Sequence, residues 1–162
     1  MFRFKNSNFY ANQKCIPDYT AVSYLEDGMC VEVDVVDRTA LSVGHGEYIV
    51  LSESLNRNEV HAMANGFGVC HNGVHAGIGA SVRLYELKEL EGVEFVTDNF
   101  KPTGAAPYGA KPAGFSIGDW FGYNDDGVLI PEGTANDFGF VVTAVEGDHL
   151  VLTLYKRPSE EN

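Results

Sequence analysis

The sequence predicts an all-β fold made of one or two small barrels or sandwiches. Runs in which apolar and polar residues alternate recur about every 8–12 residues, with turn-type dipeptides between them, as small barrels and sandwiches show. Glycine is abundant, at 18 of 162 residues, and this suits a chain with many tight turns. A chain of this length fits one domain, or one domain with a small appendage.

The first β-type stretch covers residues 19–52. Residues 26–28 (Glu-Asp-Gly) are a turn signal, and residues 29–35 then alternate between apolar and polar, which predicts a half-buried strand. Residues 44–47 (Gly-His-Gly-Glu) are a second turn signal, and residues 48–51 form a short apolar run typical of a buried strand. The stretch therefore predicts a β-meander.

Two further strands are predicted before residue 100, at residues 81–87 and 92–96, and residues 53–64 are the best helix candidate. The second β-type stretch, residues 115–156, contains the strongest hairpin signals. Asp-Gly and Gly-Asp dipeptides lie there between apolar runs, and these dipeptides are typical of tight hairpin turns.

Residues 101–114 contain an internal repeat in which three prolines recur every five residues, each followed two positions later by glycine. Because each proline lacks the N–H that a sheet ladder needs, this segment is predicted to be a linker or surface loop. It divides the chain into an N-terminal β-rich unit, residues 1–100, and a C-terminal β unit, residues 115–156. Residues 157–162 are predicted to be a solvated tail.

The net charge of −12 is unevenly distributed. Residues 1–17 contain Arg3, Lys5 and Lys14 and no acidic residue, so the rest of the chain carries −15. An acidic body repels nucleic-acid phosphates, so no nucleic-acid partner is expected. No apolar run approaches the roughly 18–20 residues that a membrane helix needs, so no membrane partner is expected either.

The N-terminus has no apolar core followed by a small-residue cleavage site, so no secretory signal is expected. The three cysteines, Cys15, Cys30 and Cys70, are too few and too scattered for a disulfide framework. Reduced thiols in a protein made in a cytoplasm are expected, although the spacing leaves one bridged pair open.

The basic, aromatic arm formed by residues 1–17 is the candidate partner-binding site. Aromatic side chains bury a large area on contact, and arginine and lysine steer encounter with acidic surfaces. In this hypothesis the acidic body faces solvent, and deletion of residues 2–10 leaves the domain folded but weakens binding. The alternative is an ordinary first strand or a frayed terminus, and the segment 101–114 is the second candidate contact. The candidate contact residues are Phe2, Arg3, Phe4, Lys5, Phe9 and Tyr10.

Cys70, His71 and His75 are the densest group of potential metal ligands, and together they could occupy three corners of a zinc tetrahedron. A fourth ligand would have to come from His61, Cys30 or His45. The sequence contains neither a CxxC knuckle nor HExxH, and glycines flank the group, so no metal and no cofactor are predicted. A metal-dependent enzyme or binding protein centred on this group is the first alternative function.

His45 and Glu47 are an acid–base pair only if they share one face of a strand, and the flanking glycines predict a solvated turn instead. No GxSxG nucleophile elbow is present, so no catalytic residue is predicted and the chain is not expected to be an enzyme. A carbohydrate-binding β module is the second alternative, based on a set of aromatic residues that alternation along strands otherwise assigns to core or subunit contacts. These are Trp120, Phe121, Tyr123, Phe138 and Phe140.

The C-terminal segments FSIGDWFGYNDDGVLIPEG and FGFVVTAVEGDHLVLTLYK combine an apolar-Gly-Asp turn, a hairpin dipeptide, a Pro-x-Gly turn and a terminal strand pair. Together with the turn at residues 25–28 and the valine-rich strand after it, they resemble the head decoration proteins of tailed bacteriophages. The resemblance implies a non-enzymatic protein, made in the host cytoplasm, that binds the outer capsid surface of the virion. It implies the major capsid protein as partner. It also implies that this chain is either a homo-oligomer or a monomer bound to the capsid lattice.

Overall fold

The computed structural model describes residues 2–5, 15–51, 75–97, 114–147 and 149–158, and within them it confirms the all-β prediction. These residues form thirteen strands and one 3-10 helix, η1 (Leu87–Leu90). In chain order the strands are β1 (Phe2–Phe4), β2 (Ile16–Ala21), β3 (Leu25–Glu26), β4 (Cys30–Asp34), β5 (Thr39–Ser42), β6 (Tyr48–Val50), β7 (His75–Ala76), β8 (Ser81–Glu86), β9 (Glu94–Thr97), β10 (Trp120–Tyr123), β11 (Leu129–Pro131), β12 (Phe138–Glu146) and β13 (His149–Lys156). None of these elements is a helix long and apolar enough to cross a bilayer.

Five strands close into a small barrel in the order β2-β5-β4-β6-β8. β4 and β5 form an antiparallel hairpin with Val33 opposite Ala40, and β5 continues to β2 through a short parallel pairing. A cluster of buried side chains from the barrel strands forms the barrel core, and Leu25 of β3 packs with it. The cluster is Tyr19, Ala21, Leu25, Val31, Ala40, Val50, Val82 and Leu84.

The remaining long strands form a six-stranded sheet in the order β1-β9-β13-β12-β10-β11. Its centre is the β12–β13 hairpin, whose register shifts at a bulge between Val142 and Ala144. Strands β3 and β7 form a separate two-stranded ladder, with Glu26 opposite His75.

A second core joins the barrel to the six-stranded sheet. Cys30 on β4, Ile49 on β6 and Tyr85 on β8 point out of the barrel and pack with the aromatic face of the sheet. Their chain neighbours Val31, Val50 and Leu84 point into the barrel, so both faces of this wall are buried. The sheet contributes Phe2, Phe4, Phe95, Phe121, Tyr123, Phe140, Val142, Leu150, Leu152 and Leu154.

The predicted division of the chain at residues 101–114 does not correspond to a boundary between sheets. β9, which precedes this segment, pairs with β13, which follows it, and Val96 lies opposite Val151. β1 extends the same sheet through its pairing with β9. Strands from the expected N-terminal and C-terminal units therefore share one sheet and one core, because the pairing is between distant parts of the chain. The proline-glycine segment up to residue 113 and the helix candidate at residues 53–64 lie outside the described residues.

Backbone contacts hold the β10–β11 turn against the barrel. The Cys30 N–H donates to Gly127 O at 2.8 Å, and the Gly44 N–H donates to Asp125 O at 3.0 Å. A Cβ on Gly44 would lie 2.0 Å from Asn124 O, and one on Gly127 would lie 2.3 Å from Cys30 O. Glycine is therefore required at both positions, since the two backbones approach more closely than a side chain allows.

Candidate functional site

The first part of the N-terminal arm is a core strand. The side chains of Phe2 and Phe4 are only 3% and 6% exposed. Both rings stack on Phe95, each with a centroid separation of 5.2 Å, and Phe4 meets Tyr85 edge-to-face at 5.4 Å. These two side chains are therefore not available to bind a partner. For Phe2 and Phe4, the alternative that the arm is an ordinary first strand is correct.

Lys5 directly follows this strand and is exposed. Its Nζ lies 3.7 Å from Glu94 Oε2 and 3.6 Å from Glu146 Oε1, so the positive charge is shared between two carboxylates of the chain itself. Phe9, Tyr10 and the side chain of Arg3 lie outside the described residues. Partner binding by Lys5, Arg3, Phe9 and Tyr10 stays a prediction.

A cleft of about 350 Å³ lies where the barrel meets the β11–β12 connection. His45 and Glu47 both line it, but the carboxylate that pairs with His45 is that of Glu32, with Nε2 and Oε2 4.0 Å apart and both side chains exposed. The Lys88 ammonium pairs with Glu86, and this contact raises the lysine pKa. The complete lining is His45, Gly46, Glu47, Glu86, Lys88, Ala135, Asn136, Asp137 and Phe138.

Asn136 has a structural role in this cleft. Its Nδ2 donates to Gly44 O at 2.9 Å and to Gly46 O at 2.8 Å, and its Oδ1 accepts the Phe138 N–H at 2.9 Å. The amide thereby ties the β11–β12 connection to the β5–β6 turn. The groups left on the rim are exposed charges of both signs, as on a solvated surface.

Cys30 lies behind this cleft as a buried free thiol. Its Sγ donates to Gly46 O at 3.2 Å and accepts from Asn136 Nδ2 at 3.4 Å, and burial raises the pKa of the thiol to about 12. A thiol that stays protonated is a poor nucleophile at neutral pH. Cys15 is also a free thiol.

We expect the free energy of unfolding to fall as the pH rises above about 9. The folded pKa of Cys30, about 12, lies above the ordinary value of 9.0, and burial also raises the pKa of Tyr123. The unfolded chain therefore loses these protons first, so their contribution is complete below the unfolded pKa and is lost as pH rises toward the folded one. For Cys30 alone the loss is about 1.4 kcal/mol at pH 10.

Urea unfolding between pH 7 and pH 11 measures this loss. Cys30→Ala should show a shallower decline above pH 9 than the unmodified chain, whereas Cys15→Ala serves as the control that keeps the full slope. Identical slopes in all three proteins would contradict the buried, protonated thiol.

The alternative metal group is mostly outside the described residues, which do not include Cys70 and His71. The backbone of His75 belongs to β7, while its side chain is also outside the description. Across the described ranges, no three histidine, cysteine, aspartate or glutamate side chains converge as a metal site would require.

The aromatic set does not form an exposed platform. Phe121, Tyr123 and Phe140 are at most 1% exposed and belong to the core between the sheet and the barrel. Trp120 is half-buried, with the Arg157 guanidinium 5.3 Å from its ring centroid. A sugar platform needs exposed ring faces, so three of its five proposed members are excluded by burial.

A groove of about 500 Å³ lies along the β4–β5 hairpin, and both apolar and polar side chains line it. Leu41 lies opposite Glu32 in the β4–β5 register, and the Val22 N–H donates to Ala40 O, which places Val22 beside β5. The valine groove, as we name it, is lined by Val22, Glu32, Val33, Asp34, Val35, Thr39 and Leu41.

The β4–β5 turn at the end of the valine groove exposes two valines, Val35 at 71% and Val36 at 91%. The alternating pattern predicted that the strand includes Val35, but β4 ends at Asp34. The reason is that Asp34 Oδ1 accepts the N–H groups of Val36 at 2.8 Å and Asp37 at 3.0 Å, which turns the chain. Two aspartates around a valine pair were the sequence signal for this turn.

Together these features define a class: an all-β protein with a closed five-stranded barrel packed on a six-stranded sheet, and with an exposed groove on the barrel that valines, a leucine and two carboxylates line. Comparisons with protein-family models, with curated proteins and with solved structures each found no match to this chain.

Proposed function

We propose that this chain is a non-enzymatic structural protein that binds the outer surface of a bacteriophage head, with the major capsid protein as its partner. The observation that carries the proposal is the exposed apolar surface of the barrel. Val22, Leu41, Val35 and Val36 are 43%, 47%, 71% and 91% exposed, respectively. Contiguous exposed apolar side chains are typical of surfaces that bind another protein.

The architecture also suits attachment to a large assembly. The barrel and the sheet share a core, and backbone hydrogen bonds fix the β10–β11 turn on β4 and on the β5–β6 turn. A rigid body loses little conformational entropy when it docks, so more of the contact free energy is retained as affinity. The resemblance of the C-terminal hairpins to head decoration proteins supports the same assignment.

Cosedimentation with phage heads assembled without this chain tests the proposal. We expect saturable binding with a fixed number of copies per head, and release when the ionic strength is raised, because charged contacts are screened by salt. Heads that already carry the chain are the control and should bind little more. Absence of binding to undecorated heads would contradict the proposed function.

A further inference from the structure

The valine groove has a composition that the fold does not require. Val35 and Val36 occupy turn positions, where glycine, asparagine, aspartate and proline are the residues that tight turns favour. Neither valine belongs to a buried cluster, and both are mostly solvent-exposed. Their apolar character therefore contributes little to folding, and it creates an exposed apolar end to the groove.

The groove is also held in one conformation. Asp34 Oδ1 fixes the turn through the two N–H groups of Val36 and Asp37. The Ser42 N–H donates to Ser23 Oγ at 3.2 Å and ties β5 to the chain that follows β2. Because β-branched side chains have few rotamers, the valines lose little entropy when a partner covers them.

Charge restricts what can occupy the groove. Glu32 and Asp34 line it, and Asp37 and Arg38 follow in the same turn, which makes three acidic groups against one basic group. In the described part of the chain, the His45 imidazole lies 4.0 Å from the Glu32 carboxylate, and the Asp34 carboxylate accepts backbone N–H groups. Two copies facing each other through this groove would bring like charges together, which disfavours a second copy as occupant.

We propose that the valine groove binds an apolar segment flanked by lysine or arginine, presented by the protein surface to which this chain attaches. The apolar part of the segment covers Val22, Val35 and Leu41, and its basic flanks meet Glu32 and Asp34. This inference rests on the proposed function, which identifies the surface that presents the segment. It assigns the contact to the acidic barrel rather than to the basic arm.

A short labelled peptide of sequence Lys-Val-Leu-Val-Lys, with both ends blocked, is the probe for the groove. We expect it to shift the backbone NMR signals of the β4–β5 hairpin, with affinity at least about tenfold higher than that of Glu-Val-Leu-Val-Glu or Lys-Ser-Gly-Ser-Lys. Equal shifts with all three peptides, or no shift with any, would overturn the inference.

Matched variants locate the contact. Val35→Ser/Val36→Ser should reduce binding of the lysine-flanked peptide and of undecorated heads by at least about tenfold, as loss of an interface anchor does. Ile117→Ser is the control, because Ile117 is also 71% exposed but lies outside the groove. Glu32→Gln/Asp34→Asn removes the two charges but keeps an Oδ1 acceptor for the turn. This variant should bind the lysine-flanked peptide more weakly, and its binding should depend less on salt.

The two proposals can fail separately. If the unmodified chain and Val35→Ser/Val36→Ser bind undecorated heads equally well, the groove inference is wrong and the proposed function stands. If the chain does not bind heads but the lysine-flanked peptide binds at the hairpin, the proposed function is wrong and the groove chemistry stands. If the serine variant instead dissociates an oligomer of the free chain, the groove is a self-interface and the inference is overturned.

Discussion

Replacing Phe2 or Phe4 with alanine should lower the free energy of unfolding by about 3–5 kcal/mol in each case, as truncation of a buried phenylalanine does. Both rings stack on Phe95, and Phe2 also meets Phe140 edge-to-face at 5.5 Å. Loss of either ring opens a cavity between the sheet and the barrel. For the same reason, deletion of residues 2–10 is expected to destabilise the whole domain rather than to leave it folded.

Chemical unfolding followed by circular dichroism measures this effect. The control is Tyr155→Ala on β13, because Tyr155 is 43% exposed on the same sheet and its removal should cost less than about 1 kcal/mol. If Phe2→Ala and Phe4→Ala were no more destabilising than Tyr155→Ala, the two rings would not be core residues, and the arm would regain its role as the candidate contact.

Gly127→Ala should lower the free energy of unfolding by about 2–5 kcal/mol. Gly127 has a φ of +75°, a region that costs an L-residue roughly 1–2 kcal/mol, and its new Cβ would lie 2.3 Å from Cys30 O. Because that oxygen belongs to the backbone of β4 and accepts the Val43 N–H, it cannot rotate away. Relief requires separation of the β10–β11 turn from the barrel, which adds about 1–3 kcal/mol.

Gly79→Ala is the matched control for this change. Gly79 has a similar φ of +86°, but a Cβ there would have no neighbour within 4 Å. Its cost should therefore be the backbone strain alone, roughly 1–2 kcal/mol. The difference between the two variants, measured by urea unfolding, isolates the close approach of turn and barrel. Equal losses would mean that the turn does not press on β4.

Local strand signals were predictable from the sequence because alternation and turn dipeptides are properties of adjacent residues. The hairpin β12–β13 appears where the Gly-Asp signal predicts it, with Gly147 at a φ of +63°. β5 was not predicted, because the β4–β5 turn contains no glycine, asparagine or proline. Instead, the carboxylate of Asp34 and the positive φ of Arg38, +53°, form the turn.

The pairing of distant strands could not be predicted in the same way. Val96 pairs with Val151, although the proline-glycine segment between them has the composition of a linker between two domains. The valine groove was missed for a related reason, since the alternation over residues 29–35 assigns Val35 to the inner face of the barrel. The side chain of Val35 is exposed because β4 ends one residue earlier, at Asp34.

The six-stranded sheet combines three distant parts of the chain, because β1, β9 and β13 are neighbours in it. The barrel strands, in contrast, all lie between residues 16 and 86. During synthesis, all of the barrel strands are therefore made long before β13. In the sheet, β13 must lie between β9 and β12. Until β13 is made, the outward side chains of Cys30, Ile49 and Tyr85 lack the sheet that covers them. We expect folding to end with insertion of β13, a late step that is slowed by its dependence on long-range contacts.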